Sequence, residues 1–127
     1  MKEFEYFAPR RVEEALSLLS QYREEAKIMA GGQSMLVLMR QGLVAPEYVI
    51  DIKGISVLDY IDYGEEKGLR IGALTTHRNI EKSEVIQKHF KVLSEMERNL
   101  ATIQTRNWGT IGGNLCYGHP TGDVAPV

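Results

Sequence analysis

Two strand-type runs, Ala26-Lys27-Ile28-Met29-Ala30 and Tyr48-Val49-Ile50-Asp51-Ile52, stand on either side of a helix-type run, and this order constrains the fold more than any other feature of the chain. The first run passes through Gly31-Gly32-Gln33-Ser34 into the apolar residues 35–39, which start a helix ending near Gly42. Two strands joined through a helix form a small β-α-β unit, because each element buries its apolar side against the next. Upstream, Phe4-Glu5-Tyr6-Phe7 reads as a short strand, with Pro9 near the entry of a helix over residues 11–22. Val12, Ala15, Leu16 and Leu19 give that helix one apolar face.

The pattern changes near Lys53-Gly54. Residues 57–63 and 68–73 read as two strands around the polar turn Gly64-Glu65-Glu66-Lys67, a hairpin. Thr75 or Thr76 can cap a short helix through Ile80. Phe90, Leu93, Met96 and Leu100 mark a longer helix whose apolar stripe belongs in the core. After Ala101 the chain is rich in Gly, Thr and Asn and reads as connection. With 127 residues, 43% of them hydrophobic, the chain has material for one domain or two small lobes. The expected fold class is α+β: a β-α-β N-terminal lobe over residues 1–54 and a partial second α+β lobe over residues 55–127.

Several classes of function are excluded. Net charge is −2 with signs mixed along the chain, so no basic stripe invites nucleic acid. The longest apolar run, residues 35–39, is too short to span a bilayer. The start Met1-Lys2-Glu3-Phe4-Glu5 lacks the apolar stretch of a signal peptide, so a cytoplasmic location is expected. Cys116 is the single cysteine, which rules out an internal disulfide and a cluster held by four cysteines of this chain. Cys116 and His119 have two residues between them, but zinc needs more ligands and only His77 and His89 remain, so no metal is expected. Ser34, His119 and Asp123 could be drawn as a triad, yet Ser34 is not in a G-x-S-x-G elbow; no catalytic residue is assigned.

Two glycine segments remain. Ala30-Gly31-Gly32-Gln33-Ser34 lies between strand and helix, where glycine permits a tight turn and close backbone approach to a ligand. Free N–H groups there would favour an anion such as phosphate, with Ser34 adding a hydroxyl. A plain strand-to-helix turn explains the same residues. Gly109-Thr110-Ile111-Gly112-Gly113-Asn114 offers backbone donors and two polar side chains, and Asp123 adds a carboxylate acceptor for sugar hydroxyls. A glycine-rich connection with Asn and Asp fixing turns is the alternative. Neither segment carries G-x-G-x-x-G or a P-loop ending, so a dinucleotide site here is not of the Rossmann type. Arg106 could neutralise phosphate or make internal contacts, and Trp108 could stack on a ring or pack.

Taken in order, these segments resemble the flavin subunits of the molybdenum hydroxylases, the family of carbon monoxide dehydrogenase and xanthine dehydrogenase. Ala30-Gly31-Gly32-Gln33-Ser34 is similar to their first FAD loop. Gln104-x-Arg106-Asn107-x-Gly109-Thr110-Ile111-Gly112-Gly113-Asn114 is similar to the second. Ile71-Gly72-Ala73-Leu74-Thr75-Thr76 resembles the segment between, and Phe4-x-Tyr6-x-x-Pro9 the opening. The resemblance implies that the backbone of Gly31, Gly32, Gln33 and Ser34 holds the FAD diphosphate, with Ala30, Met35 and Leu36 lining the cofactor. It implies that Gly109, Thr110, Gly113 and Asn114 complete the phosphate and ribityl contacts, and that Asp123 binds a ribityl hydroxyl. Ala101 and Thr105 would face the adenine side or the diphosphate. FAD would lie between lobes, across the two loops.

The implied role is electron transfer from iron–sulfur clusters through FAD to an external acceptor. The implied partners are a molybdenum-containing large subunit and a [2Fe–2S] small subunit. The family chain is longer, so self-association or docking of a separate C-terminal half is also expected. Two other readings compete. One is a truncated, non-catalytic remnant or interaction module that keeps the fold without stable flavin; the other is a generic anion-binding module. Flavin absorbance in purified protein separates them.

Overall fold

The computed structural model describes residues 1–127, which divide into two compact units, Met1–Ser56 and Val57–Val127. The fold is α+β.

The first unit is built on a parallel sheet of three strands: β1 (Glu5–Phe7), β2 (Ala26–Met29) and β3 (Tyr48–Asp51). β3 lies in the middle, with Glu5 opposite Tyr48 on one side and Ala26 opposite Tyr48 on the other. A strand flanked on both sides cannot leave its backbone unpaired, and its side chains read as a continuous apolar run. Val49 and Ile50 are accordingly among the most buried residues of the unit. Helix α1 (Val12–Tyr22) links β1 to β2 and buries Ala15. Tyr22, near its end, stacks on Tyr48 at 3.8 Å, and Phe7 stacks on Tyr22 at 5.6 Å. The helix stops where Arg23 turns left-handed with φ of 46°. Helix α2 (Met35–Arg40) follows β2, buries Met39 and gives way to Gly42 at φ of 73°.

The second unit opens with β4 (Ile61–Gly64) and β5 (Gly68–Ile71), an antiparallel hairpin pairing Ile61 with Ile71. The strand expected over residues 57–63 is shorter, because residues 56–58 form a 3-10 turn. Residues 58–60 instead take two backbone bonds outside the ladder: Gly72 N–H donates to Tyr60 O at 2.8 Å and Leu74 N–H to Leu58 O at 3.0 Å. Thr75 clasps the same segment, its hydroxyl donating to Tyr60 O and accepting from Tyr60 N–H.

Five short helices complete the unit: α3 (His77–Lys82), α4 (Glu84–His89), α5 (Lys91–Asn99), α6 (Ile103–Trp108) and α7 (Ile111–Tyr117). Hydroxyls cap four of them. Thr76, Ser83, Thr102 and Thr110 each accept an N–H of the first turn, which satisfies a donor the helix itself cannot. The helix expected around Phe90, Leu93, Met96 and Leu100 is α5, with Phe90 and Leu100 at its caps, and the sequence did not mark α4 before it. Phe90 leaves helical geometry at φ −136°, ψ 59°, with its ring edge-on to Tyr63 while His89 stacks on the same tyrosine at 4.4 Å. The apolar stripe is only half-buried; the fully buried positions of α5 are Ser94 and Glu97. The glycine-rich stretch expected as connection holds α6 and α7. No helix of the chain is long and apolar enough to cross a membrane.

Candidate functional site

The first glycine segment sits where β2 leaves the sheet. Met29 is paired with Asp51 at the carboxyl edge, and Ile52 N–H donates to Met29 O at 2.9 Å. Gly32 adopts φ of 79°, which side-chain-bearing residues rarely take. A Cβ there would also meet the Leu36 Cδ1 at 3.3 Å and the Met29 sulfur at 3.4 Å. From that turn the chain enters α2, and Leu36 N–H is the first to close back, onto Gly32 O at 3.1 Å. The amides of Gln33, Ser34 and Met35 therefore donate to no backbone carbonyl. Ser34 occupies the cap position without a side-chain cap bond and is exposed, so its hydroxyl is also open. Three N–H groups and a hydroxyl beside a glycine bend make this segment a candidate anion cradle. Ala30, Met35 and Leu36 are half-buried around it, and Gln33 is exposed.

At the carboxyl edge of the neighbouring strand, Asp51 is 2% exposed. Tyr6 donates to one carboxylate oxygen and the Lys53 N–H to the other at 2.9 Å, while the Lys53 ammonium lies 3.1 Å away. Burial pushes the Asp51 carboxyl up, but these donors outweigh it and hold the group below its ordinary value of 3.8. The same contact raises the Tyr6 phenol, first through the hydrogen bond to Asp51. Because folding lowers the Asp51 value, its contribution to stability is complete above the ordinary value and is lost as pH falls through the lowered one. Urea unfolding of the wild type and of Asp51→Asn should thus show a gap that is widest near neutrality and narrows below about pH 4. A gap that stays constant down to pH 3 would contradict this account.

The second glycine segment is arranged differently. Thr110 pairs with Thr76 in an antiparallel bridge, with His77 N–H donating to Gly109 O at 3.0 Å and Ile111 N–H to Thr75 O at 3.1 Å. Gly112 N–H donates to Ala73 O at 2.9 Å, and Gly113 N–H to the Thr110 hydroxyl at 3.1 Å. The amides of Ile111, Gly112 and Gly113, expected as ligand donors, are thus engaged within the chain. The glycine at 112 serves packing, since a Cβ would lie 2.6 Å from Ala73 O. The Asn114 side chain, half-buried, stays open to a ligand, and Asp123 is exposed.

Ala101 is exposed and left-handed at φ of 45°, and the Thr105 hydroxyl accepts from Thr102. Trp108 is 56% exposed. Arg106 makes internal contacts, donating to the carbonyls of Leu100 at 2.7 Å and Ala101 at 3.3 Å. Sequence reasoning missed the buried His77–Glu97 pair beneath Gly109, where Nδ1 and Oε2 lie 2.9 Å apart. Glu97 falls on the buried side of α5, and only the three-dimensional meeting of α3 with α5 reveals it. A further apolar groove of about 560 Å³ is lined by Phe90, Leu93, Ile111, Leu115 and Val124 and offers little polar chemistry.

Comparison with known proteins gives the family of the chain: residues 2–127 match the family described as the FAD-binding domain in molybdopterin dehydrogenase, and the chain belongs to it. It is 41% identical over 122 residues to the carbon monoxide dehydrogenase medium chain of Hydrogenophaga pseudoflava, covering 94% of this chain and 42% of that one. It is 41% identical over 124 residues to the nicotinate dehydrogenase FAD-subunit of Eubacterium barkeri, covering 97% and 42%. The solved carbon monoxide dehydrogenase of H. pseudoflava lacking the Mo-pyranopterin moiety matches with a TM-score of 0.91 at 39% identity, over 95% of this chain and 42% of that one. Quinoline 2-oxidoreductase of Pseudomonas putida 86 matches with a TM-score of 0.91 at 31% identity, over 98% and 44%. The chain therefore spans well under half the length of these relatives.

Proposed function

We propose that this chain binds FAD and serves as part of the flavin subunit of a molybdenum hydroxylase, passing electrons from iron–sulfur clusters through FAD to an external acceptor. The observation that carries the reading is the cradle at residues 31–35, where a glycine turn leaves the Gln33, Ser34 and Met35 amides and the Ser34 hydroxyl open. Membership of an FAD-binding family supports reading that anion as the FAD diphosphate. Bound FAD supplies the redox chemistry. The residues of the chain bind and orient. Gly31 and Gly32 admit close approach of the backbone, the amides donate to phosphate oxygens, and Ala30, Met35 and Leu36 line the cofactor. Thr110, Gly113 and Asn114, with Gly109 shaping the turn, contribute on the phosphate and ribityl side. Asp123 accepts from a ribityl hydroxyl, and Ala101 and Thr105 contact the adenine side or the diphosphate. No side chain acts as general acid or base. The partners in this reading are a molybdenum-bearing subunit and a [2Fe–2S] subunit.

One observation favours a second reading, in which the chain keeps the fold without holding flavin firmly: the amides of Ile111, Gly112 and Gly113 are already engaged. A titration followed by flavin fluorescence separates the two. FAD should bind at least ~10-fold more tightly than FMN, because only FAD offers a diphosphate. Gly32→Val, checked for folding by circular dichroism, should weaken FAD by a similar ~10-fold or more, since valine resists φ of 79°. Equal affinity for FAD and FMN would count against the diphosphate assignment, and absence of binding would leave the second reading standing.

A further inference from the structure

The chain enters α6 through a strained turn. Ala101 holds φ of 45° with no glycine to relieve it. Such a conformation persists in a side-chain-bearing residue only where its surroundings hold it. Here the holding group is on α6 itself. Arg106 reaches back, and its Nη1 donates to Leu100 O at 2.7 Å and to Ala101 O at 3.3 Å. The side chain is 11% exposed, so these charge-assisted bonds compete with little water. Arg106 Nε lies 3.4 Å from Glu81 Oε2, near enough for charge attraction but without hydrogen-bond geometry. The same Glu81 oxygen accepts from Arg78 at 2.8 Å. Burial pushes the Glu81 carboxyl up, but Arg78 and then Arg106 hold it below the usual carboxylate range, so the pair stays charged near neutrality.

The placement of these contacts gives them a consequence. Glu81 lies near the end of α3, and the start of α3 carries the bridge of Thr76 to Thr110 and the bond from His77 N–H to Gly109 O. Both ends of α6 are thereby tied to α3: the entry through Arg106 and Glu81, the exit through Gly109 and Thr110. We propose that Arg106 is a positioning residue for the flavin site, pinning the left-handed turn at Ala101 so that α6 delivers Gly109, Thr110 and the segment through Asn114 in register. This inference rests on the FAD reading above for its functional half. It assigns Arg106 no contact with phosphate, because its Nη1 already donates to two carbonyls of the chain and the side chain is 11% exposed.

Arg106→Ala should weaken FAD on the order of tenfold, the effect of losing charge-assisted bonds of this kind. The dependence of FAD affinity on ionic strength should not change. Glu81→Gln, which keeps the shape, should weaken FAD by a smaller factor, roughly threefold. Glycine takes φ of 45° without strain, so in an Ala101→Gly background the further change Arg106→Ala should weaken FAD no more than about twofold. A shallower salt dependence in Arg106→Ala would make the guanidinium a phosphate contact and overturn the proposal. An undiminished effect in the Ala101→Gly background would overturn it too, since Arg106 would then act by another route. Amide exchange in the flavin-free chain tests the clamp even if the FAD reading fails. The Gly109 and Ile111 amides, which donate to Thr105 O and Thr75 O, should exchange about tenfold faster in Arg106→Ala and about threefold faster in Glu81→Gln. Unchanged exchange in a folded variant refutes the positioning role outright.

Discussion

Gly112→Ala is expected to destabilise the second unit by on the order of 3 kcal/mol, a large fraction of the stability of a small domain. The added methyl would sit 2.6 Å from Ala73 O and 2.7 Å from Ala73 Cβ, distances that real Cβ atoms do not show. Neither neighbour is the far end of a flexible side chain, so the backbone must move. Moving it breaks the bond from Gly112 N–H to Ala73 O, and with it strains Ile111 N–H to Thr75 O. Gly72→Ala should be at least as damaging, because its methyl would lie 2.1 Å from Leu58 O and 2.9 Å from the Tyr60 ring. Gly118→Ala is the control. It has φ of 62° and meets only Leu115 O at 3.6 Å, so its effect should be limited to the left-handed conformation, roughly 1 kcal/mol. Urea denaturation compares the three. If Gly112→Ala proves no worse than Gly118→Ala, the glycine is not there for close packing.

The first unit was legible because its signals are local. Alternation of strand and helix periods, Gly-Gly after β2 and Gly42 after α2 each mark one element, and β3 is apolar from Tyr48 to Ile50. The second unit hid more. Helix α4 carried no clear periodic signal of its own; at its end His89 and Phe90 meet the ring of Tyr63, far away in sequence. Residues 57–60 have strand composition but take turn geometry, since the close approach of Gly72 replaces a ladder. The glycines of residues 109–113 suggested an open loop because glycine is a poor helix former in isolation. Tertiary bonds to Ala73, Thr75 and Thr76 override that preference and build α7. The same bonds use up backbone donors that sequence alone could only count as available. The cradle at residues 31–35 was readable in type, but which amides stay open depends on the first closing bond of α2.

His77→Ala should destabilise the second unit by roughly 3 kcal/mol, the upper end of the cost of leaving a buried polar group without its hydrogen bond. Glu97 is fully enclosed, and its Oε1 finds no partner in the chain. Its carboxylate thus relies on a single side-chain contact, His77 Nδ1 at 2.9 Å, in a place where water cannot substitute. Removing the imidazole leaves the enclosed carboxyl without its side-chain partner and also opens space beneath Gly109, where a Cβ would lie 3.1 Å from the ring. Glu97→Leu removes the other partner and should be milder, about 1–2 kcal/mol, because leucine fills the enclosed space with apolar volume and leaves only the imidazole without its partner. The two effects should not add: in Glu97→Leu, the further change His77→Ala has no carboxylate left to strand. Since His77 N–H also anchors Gly109 O through the backbone, that anchor survives in both variants and separates loss of the side-chain pair from loss of the bridge. Urea unfolding of the two single variants and the double variant provides the cycle. A His77→Ala effect smaller than that of Glu97→Leu would show that the enclosed carboxyl does not depend on the imidazole, and the ordering argued from its burial would be wrong.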